Sequence, residues 1–492
     1  MEEKKILVGG SWGPSDSGRY FESEDPYAGR PWCRIPECGA SDVDRAVDAA
    51  HEAFRDSAWT VMHASDRGRL LHALGAVIAN HAEELAELEV RDNGKLMAEM
   101  LGQCRYLPRW YEYYGGLADK IEGRVIPVDK PDMMVYTRRE PLGVVAALVP
   151  WNSPLLLLSW KLAPLLAAGN TAVIKPSEYT SASTLRFAEL FEEAGFPPGV
   201  INVVTGFGDP VGAALAGHPK VAKVAFTGGG AGGRAVYRAA AEDFKHVTLE
   251  LGGKSANIVF ADAKRDDAVK GVISGIFAAT GQTCIAGSRL LVEASIHDEF
   301  VEDVVAFARR ARFGDPRDPG TQVGPVTTAP QYEKVLAHIE SAKAEGAEVV
   351  LGGRPGSAPE CGNGRFVEPT ILTGVTNDMR IAQEEVFGPV LAVIPFQDQD
   401  DAIRIANDSR YGLAAGVWTS NMRTAQAMVE SLDAGMVWVN TYRSVSYMAP
   451  FGGMKESGIG RENGIEAIDE YLQTKCVWVS TQTEVPNPFV MR

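Results

Sequence analysis

From residue 142 onward the chain alternates short apolar runs with amphipathic stretches, and that alternation restricts the fold more than any other feature. Residues 143–149, 171–175, 200–205, 221–227 and 246–251 read as strands, being short, apolar and rich in Val and Ile. Residues 154–168, 180–194, 211–216 and 229–241 read as the helices between them. Strands joined through helices need crossover connections, so the sheet they form is parallel and covered on both faces. After 252 a second α/β unit starts. Helices are expected over 266–279, 297–312, 331–345, 401–407 and 422–432, and strands over 347–351, 365–372, 390–395 and 416–419.

Before this alternation the chain reads differently. Residues 1–40 are rich in Gly, Pro and Ser and read as turns with short edge strands. Residues 42–55, 67–80 and 82–91 repeat apolar positions at helical spacing. The aromatic run 106–114 suits either core packing or the rim of a substrate entrance. Residues 122–141 are polar, proline-punctuated and alternating, which reads as a two-stranded excursion.

Composition sets the class. A chain of 492 residues exceeds one ordinary core, and 45% hydrophobic with 23% charged residues is typical of a globular protein. A net charge of −16 argues against nucleic acid and against an anionic membrane surface, both of which need a basic face. Cys33, Cys38, Cys104, Cys284, Cys361 and Cys476 are scattered without zinc-ligand spacing, so no metal site is expected and reduced thiols in a cytoplasmic protein are. The start lacks the apolar core of a signal peptide, and the most apolar stretches, 142–149 and 155–160, are too short to span a bilayer.

The chemistry concentrates in a few strand-end segments. Cys284 closes Gly281-Gln282-Thr283-Cys284; a thiolate among small and polar residues is a candidate nucleophile, although a cysteine is more often a small buried hydrophobe. Glu250 opens Glu250-Leu251-Gly252-Gly253-Lys254-Ser255, a candidate base on a bend that lets substrate or water come close. Lys175-Pro176-Ser177-Glu178 and the glycine-rich segment 226–233 each follow a strand, where parallel sheets bind ligands. A glycine-rich turn opening a helix offers bare N–H groups to a phosphate. Asn152, in Pro150-Trp151-Asn152-Ser153-Pro154, carries donors that suit a developing oxyanion; Asn152 or Ser153 would equally serve as a helix N-cap.

The wording around Glu250 and Cys284 resembles the two signatures of the aldehyde dehydrogenase superfamily, and the resemblance runs from about residue 20 to 480. It implies an aldehyde-dehydrogenase-like α/β fold, with two doubly wound parallel-sheet domains and a small β oligomerisation element. The implied division is 1–120 with 142–251 for NAD binding, 252–453 for catalysis, and 121–141 with 471–485 for assembly. The resemblance implies Cys284 as nucleophile, Glu250 as base, and Asn152 with the Cys284 N–H as oxyanion hole. Trp151, Lys175, Ser177, Glu178, Thr227, Gly228, Gly229, Leu251, Glu385 and Phe387 match cofactor positions. Gly229 stands where a serine is usual, replacing a hydroxyl contact by backbone. Glu178 beside the ribose favours NAD, since a carboxylate accepts from a 2′-OH and repels a 2′-phosphate; NADP stays open. Leu157, Trp160, Thr283, Phe451 and Arg443 match the substrate tunnel, and Lys161 with Glu462 a pair that passes protons from the base.

These matches imply NAD-linked oxidation of an aldehyde to a carboxylate through a thioester. Two alternatives remain: a coenzyme A-acylating semialdehyde dehydrogenase, which typically lacks a base at Glu250, and an idle structural homologue, which usually lacks the cysteine, base or cofactor loop. Leu157 and Trp160 suggest an apolar or aromatic wall. Ala278, six residues before the cysteine, stands where small-dicarboxylate semialdehyde enzymes often place arginine, against succinate semialdehyde. Arg443 would greet an anionic or polar substrate, or lie solvated on the surface. A homotetramer is expected, with a homodimer as the alternative.

Overall fold

The computed structural model describes residues 1–484 and 487–490. Two large sheets organise the chain. The first has eight strands in the order Gly458–Ile459, His246–Glu250, Val221–Thr227, Val144–Leu148, Thr171–Lys175, Ile201–Val203, Ile6–Val8 and Ser11–Gly13. Its five inner strands are parallel, and its outer strands join antiparallel. The chain enters at Val144–Leu148, builds outward through Thr171–Lys175 and Ile201–Val203, then returns to build on the other side with Val221–Thr227. That reversal opens a crevice at the carboxyl ends of Val144–Leu148 and Val221–Thr227. Trp151-Asn152 and Thr227-Gly228 follow those two ends directly.

The second sheet runs Glu348–Leu351, Thr370–Thr373, Val390–Phe396, Arg289–Glu293, Ala256–Val259, Ala414–Trp418 and Met436–Val439, parallel except at its first strand. Three of these strands, Ala256–Val259, Arg289–Glu293 and Met436–Val439, were not anticipated. They are four or five residues long and lack the alternation that marks a strand with one wet face. The strand expected over 365–372 shrinks to Thr370–Thr373, because Pro369 cannot donate to a ladder. The helix expected over 211–216 begins as a wide turn at Gly208–Gly212, which contains Pro210, and is regular only over Ala213–Gly217.

The helix Pro154–Ala168 lies at the centre of the first unit. It starts on a proline, ends at Gly169 with φ of +94°, and is apolar on nearly every face, so all of it but Leu156 is buried. The expected side-chain cap is absent: Ser153 occupies the cap position without a capping bond. Glu89, from the helix Ala82–Asn93, instead accepts from the Leu155 N–H at 3.0 Å. A third sheet pairs Val125–Ile126 with Met133–Pro141, and Met133–Pro141 with Leu472–Ser480 over nine residues. Residue 485, the end of the tail expected in assembly, lies outside the described residues.

Candidate active site

Two cavities meet at Cys284. A cleft of about 420 Å³ runs along the carboxyl ends of the first sheet and includes Lys175, Glu178, Gly228, Glu385, Phe387 and Glu250 among its walls. A tunnel of about 440 Å³ approaches from the other side, past Trp110, Trp160, Phe451 and Arg443. Asn152, Leu157 and Cys284 line both. Thus every expected cofactor residue borders the cleft, and every expected substrate residue, Thr283 included, borders the tunnel.

The cysteine sits on a strained loop. Ala279, Thr280 and Gly281 take φ of +54°, +53° and +69°, a left-handed run that disfavours residues with a Cβ. At Gly281 a Cβ would lie 2.1 Å from the Gly388 carbonyl, so only glycine fits. Bonds from three sides hold the loop: the Ala279 N–H donates to Glu99 at 2.9 Å, the Gln282 side chain bridges Pro325 and Thr327, and Asn152 Nδ2 donates to the Gln282 carbonyl at 3.1 Å. Asn152 therefore spends one amide hydrogen on positioning the cysteine loop and keeps a second for a ligand.

Glu250 ends its strand, held by pairing with Thr227 on one side and Gly458 on the other. Both of its carboxylate oxygens are buried without a hydrogen-bond partner among the described residues. Burial, reinforced by the charge of Glu462 and opposed by Lys161 and Arg461, raises its affinity for a proton well above the ordinary carboxylate range. The Cys284 thiol is pushed up to about 12, first by burial and then by the facing charges of Glu250 and Glu385. At neutral pH the resting thiol is thus protonated, and Glu250 is a basic enough carboxylate to take a proton. Lys161 Nζ contacts Glu462 and donates to Thr227 Oγ1 at 2.7 Å, which brings the expected proton-passing pair beside the cofactor loop.

The cleft fits a dinucleotide. At one end Lys175 Nζ lies 3.9 Å from the Glu178 carboxylate, with Ser177 Oγ 3.4 Å from it. In the middle, Gly229 precedes the helix Gly230–Ala241, whose first N–H groups have no helical partner. A Cβ at Gly229 would meet nothing within 4 Å, so the loop leaves open space there. Leu251, behind the loop, packs close to Gly233. At the far end Glu385 accepts from the Gly253 N–H at 3.1 Å, and a Cβ at Gly252 would clash with its carboxylate. The rings of Trp151 and Phe387 meet edge to face with centroids 5.3 Å apart.

Sequence reasoning missed several neighbours. Gln331 holds the Glu385–Phe387 segment by donating to the carbonyls of Val386 and Phe387 at 2.7 and 3.0 Å. Lys95, Glu99, Gln103 and Ser153 line the tunnel, and of these only Ser153 lay in a segment with a recognisable signal. The aromatic run does both of its expected jobs: Tyr111 and Tyr114 are core, while Tyr106 and Trp110 border the tunnel. Trp160 stacks on Trp110 and meets Phe451 edge to face, with ring centroids 6.2 and 4.8 Å away. Among the described residues no metal-binding cluster forms, and no helix is long and apolar enough to cross a membrane.

The sequence profile of the aldehyde dehydrogenase family matches residues 12–477. An Acinetobacter baylyi protein, (Z)-2-((N-methylformamido)methylene)-5-hydroxybutyrolactone dehydrogenase, is 47% identical over the full length of both chains. Human retinal dehydrogenase 2 is 44% identical over 96% of this chain and 91% of its own. Among solved structures, an NAD+ complex of a Bacillus cereus aldehyde dehydrogenase superposes with a TM-score of 0.95, at 44% identity over 98% of this chain and 97% of that one. Staphylococcus aureus betaine aldehyde dehydrogenase with NAD+ superposes with a TM-score of 0.98, at 39% identity over 99% and 97%. With its fold, its cleft and its sequence matched from end to end, the chain belongs to the aldehyde dehydrogenase family.

Proposed function

We propose that this chain oxidises an aldehyde to its carboxylate with NAD, using Cys284 as nucleophile and Glu250 as base. The observation that carries the reading is the meeting of cleft and tunnel at Cys284, with a buried, unpartnered carboxylate on the cleft wall. Cys284 Sγ bonds to the aldehyde carbon and its proton leaves to a nearby base. Asn152, through its free amide hydrogen, and the Cys284 backbone N–H hold the oxyanion. NAD, when bound, supplies the acceptor for the hydride from that carbon. Cys284 then carries a thioester. Glu250 takes a proton from water, whose oxygen attacks the thioester; the C–S bond breaks, and carboxylate and thiol are released. Lys161 and Glu462 relay the proton away. Trp151, Lys175, Ser177, Glu178, Thr227, Gly228, Gly229, Leu251, Glu385 and Phe387 hold the cofactor, with Glu178 selecting NAD over NADP.

Two variants test the scheme. Cys284→Ala abolishes NADH formation while NAD still binds; sustained oxidation by this variant would sink the proposal. Glu250→Gln lowers steady turnover by roughly 10²-fold or more and leaves an acyl group trapped on Cys284, visible by intact mass. A base at position 250 also favours water over coenzyme A as acyl acceptor. For the whole protein we propose the NAD-binding, catalytic and assembly parts expected above, a cytoplasmic location, and a homotetramer, or failing that a homodimer, built through the small antiparallel sheet.

A further inference from the structure

The tunnel carries a charge arrangement that oxidation of an unsubstituted aldehyde does not require. Lys95 is only 4% exposed, and among the described residues its Nζ makes a single hydrogen bond, to Ser153 Oγ at 3.2 Å. A buried lysine is rarely left without a counter-ion. Two carboxylates act on it, and neither forms a salt bridge with it among the described residues. Glu99 accepts from the Ala279 N–H, and Glu89 accepts from Leu155 N–H and Cys104 Sγ. A second cation, Arg443, borders the same tunnel, and among the described residues its guanidinium donates only to the Ser274 carbonyl, at 3.2 Å. Arg443 holds a φ of +66°, an unusual conformation for a residue with a Cβ. Burial lowers the Lys95 ammonium to about 8; the facing charge of Glu99 opposes that fall, and repulsion by Arg443 adds to it. Trp160 adds a donor: its Nε1 is buried without a partner and its ring lines the tunnel. Glu99 Oε2 and Gln103 Oε1 on the same wall are likewise without a partner among the described residues, yet two cations face one carboxylate in the tunnel lining, and an anion between the two cations would balance that excess.

We propose that Lys95, Arg443 and Trp160 form a subsite for a carboxylate on the substrate, so that this enzyme takes an aldehyde acid. This rests on the reading of Cys284 as the attacking group. The aromatic rings of Tyr106, Trp110 and Phe451 would by themselves suit a cationic tail, but two cations beside them disfavour one.

The test compares adipate semialdehyde, hexanal and a trimethylammonium aldehyde of the same length, following NADH absorbance. The carboxylate substrate shows a kcat/KM at least about tenfold above the other two, through KM. Lys95→Met slows the carboxylate substrate more than it slows hexanal, and so removes that advantage. Arg443→Met, at the half-exposed rim, gives the same selective loss without disturbing the core. Binding is read separately on the Cys284→Ala variant by quenching of tryptophan fluorescence: adipate binds and hexanol does not. Equal rates for acid and alkanal, a preference for the cation, or variants that slow all substrates alike would overturn the subsite and leave the Cys284 reading intact. Adipate binding without oxidation of any aldehyde would keep the subsite and overturn that reading.

Discussion

At the scale of single residues, the site works by placing groups where water would otherwise moderate them. Glu250 and Cys284 both lose hydration, and both hold protons more tightly than they would in solvent. A carboxylate of raised basicity next to a protonated thiol is suited to taking protons, whereas a solvated glutamate would be too weak a base. Gly229 offers a different residue-scale test. Its Cβ direction is open, and it caps a helix in the middle of the cleft. Gly229→Ser therefore fits without displacement and adds a hydroxyl donor, and KM for NAD should fall severalfold in steady-state kinetics. An unchanged KM would mean that the backbone already satisfies the cofactor at this point.

At the scale of elements, the start of Pro154–Ala168 is the joint that matters. Asn152 lies just before its cap residue Ser153, and the remote Glu89 accepts from its first turn. Burial raises the Glu89 carboxyl to about 7. Its folded affinity for a proton exceeds its unfolded one, so its contribution to stability is complete below the unfolded pKa, about 4.3. That contribution is lost as pH rises toward 7, on the order of 2–4 kcal/mol. Glu89→Gln should flatten the pH dependence, so that the fall in Tm from pH 5 to pH 8 is smaller in the variant by a few degrees. Asp92, raised to about 6 by burial, changes in the same sense and remains in both proteins, so the comparison isolates Glu89. The strands and helices of 142–251 were legible because short apolar runs alternate there with longer helical stretches. The three missed strands were not: Ala256–Val259 and Arg289–Glu293 are short and mostly buried, and Met436–Val439 is a half-buried edge strand made only of apolar residues, so none shows alternation.

At the scale of the whole molecule, the C-terminal strand Leu472–Ser480 reaches back to Met133–Pro141, far away in sequence. The sheet they form exposes Trp478 at 53%, Met134 at 48% and Val125 at 79%, more apolar surface than a free edge usually shows. Deleting residues from 472 onward should reduce the assembled mass measured by light scattering while the cleft still binds NAD. An unchanged mass would place the assembly surface elsewhere.

Periodicity and punctuation along the chain were enough to determine a parallel α/β core, most of its helices, the glycine-rich strand ends and a two-stranded excursion before 142; that the excursion pairs with the tail was implied by the family resemblance alone. The two signature segments marked Cys284 and Glu250. Local pattern carries these features because hydrogen-bonded period and turn chemistry act between near neighbours. Only the tertiary structure decided that Glu89 caps a helix more than sixty positions later, that Gln331 steadies the Glu385–Phe387 segment, and that Lys95 stands in the tunnel with no salt-bridge partner among the described residues. Each of these depends on which elements pack together, and the cost of burying a charge or an amide is set by neighbours distant in the chain.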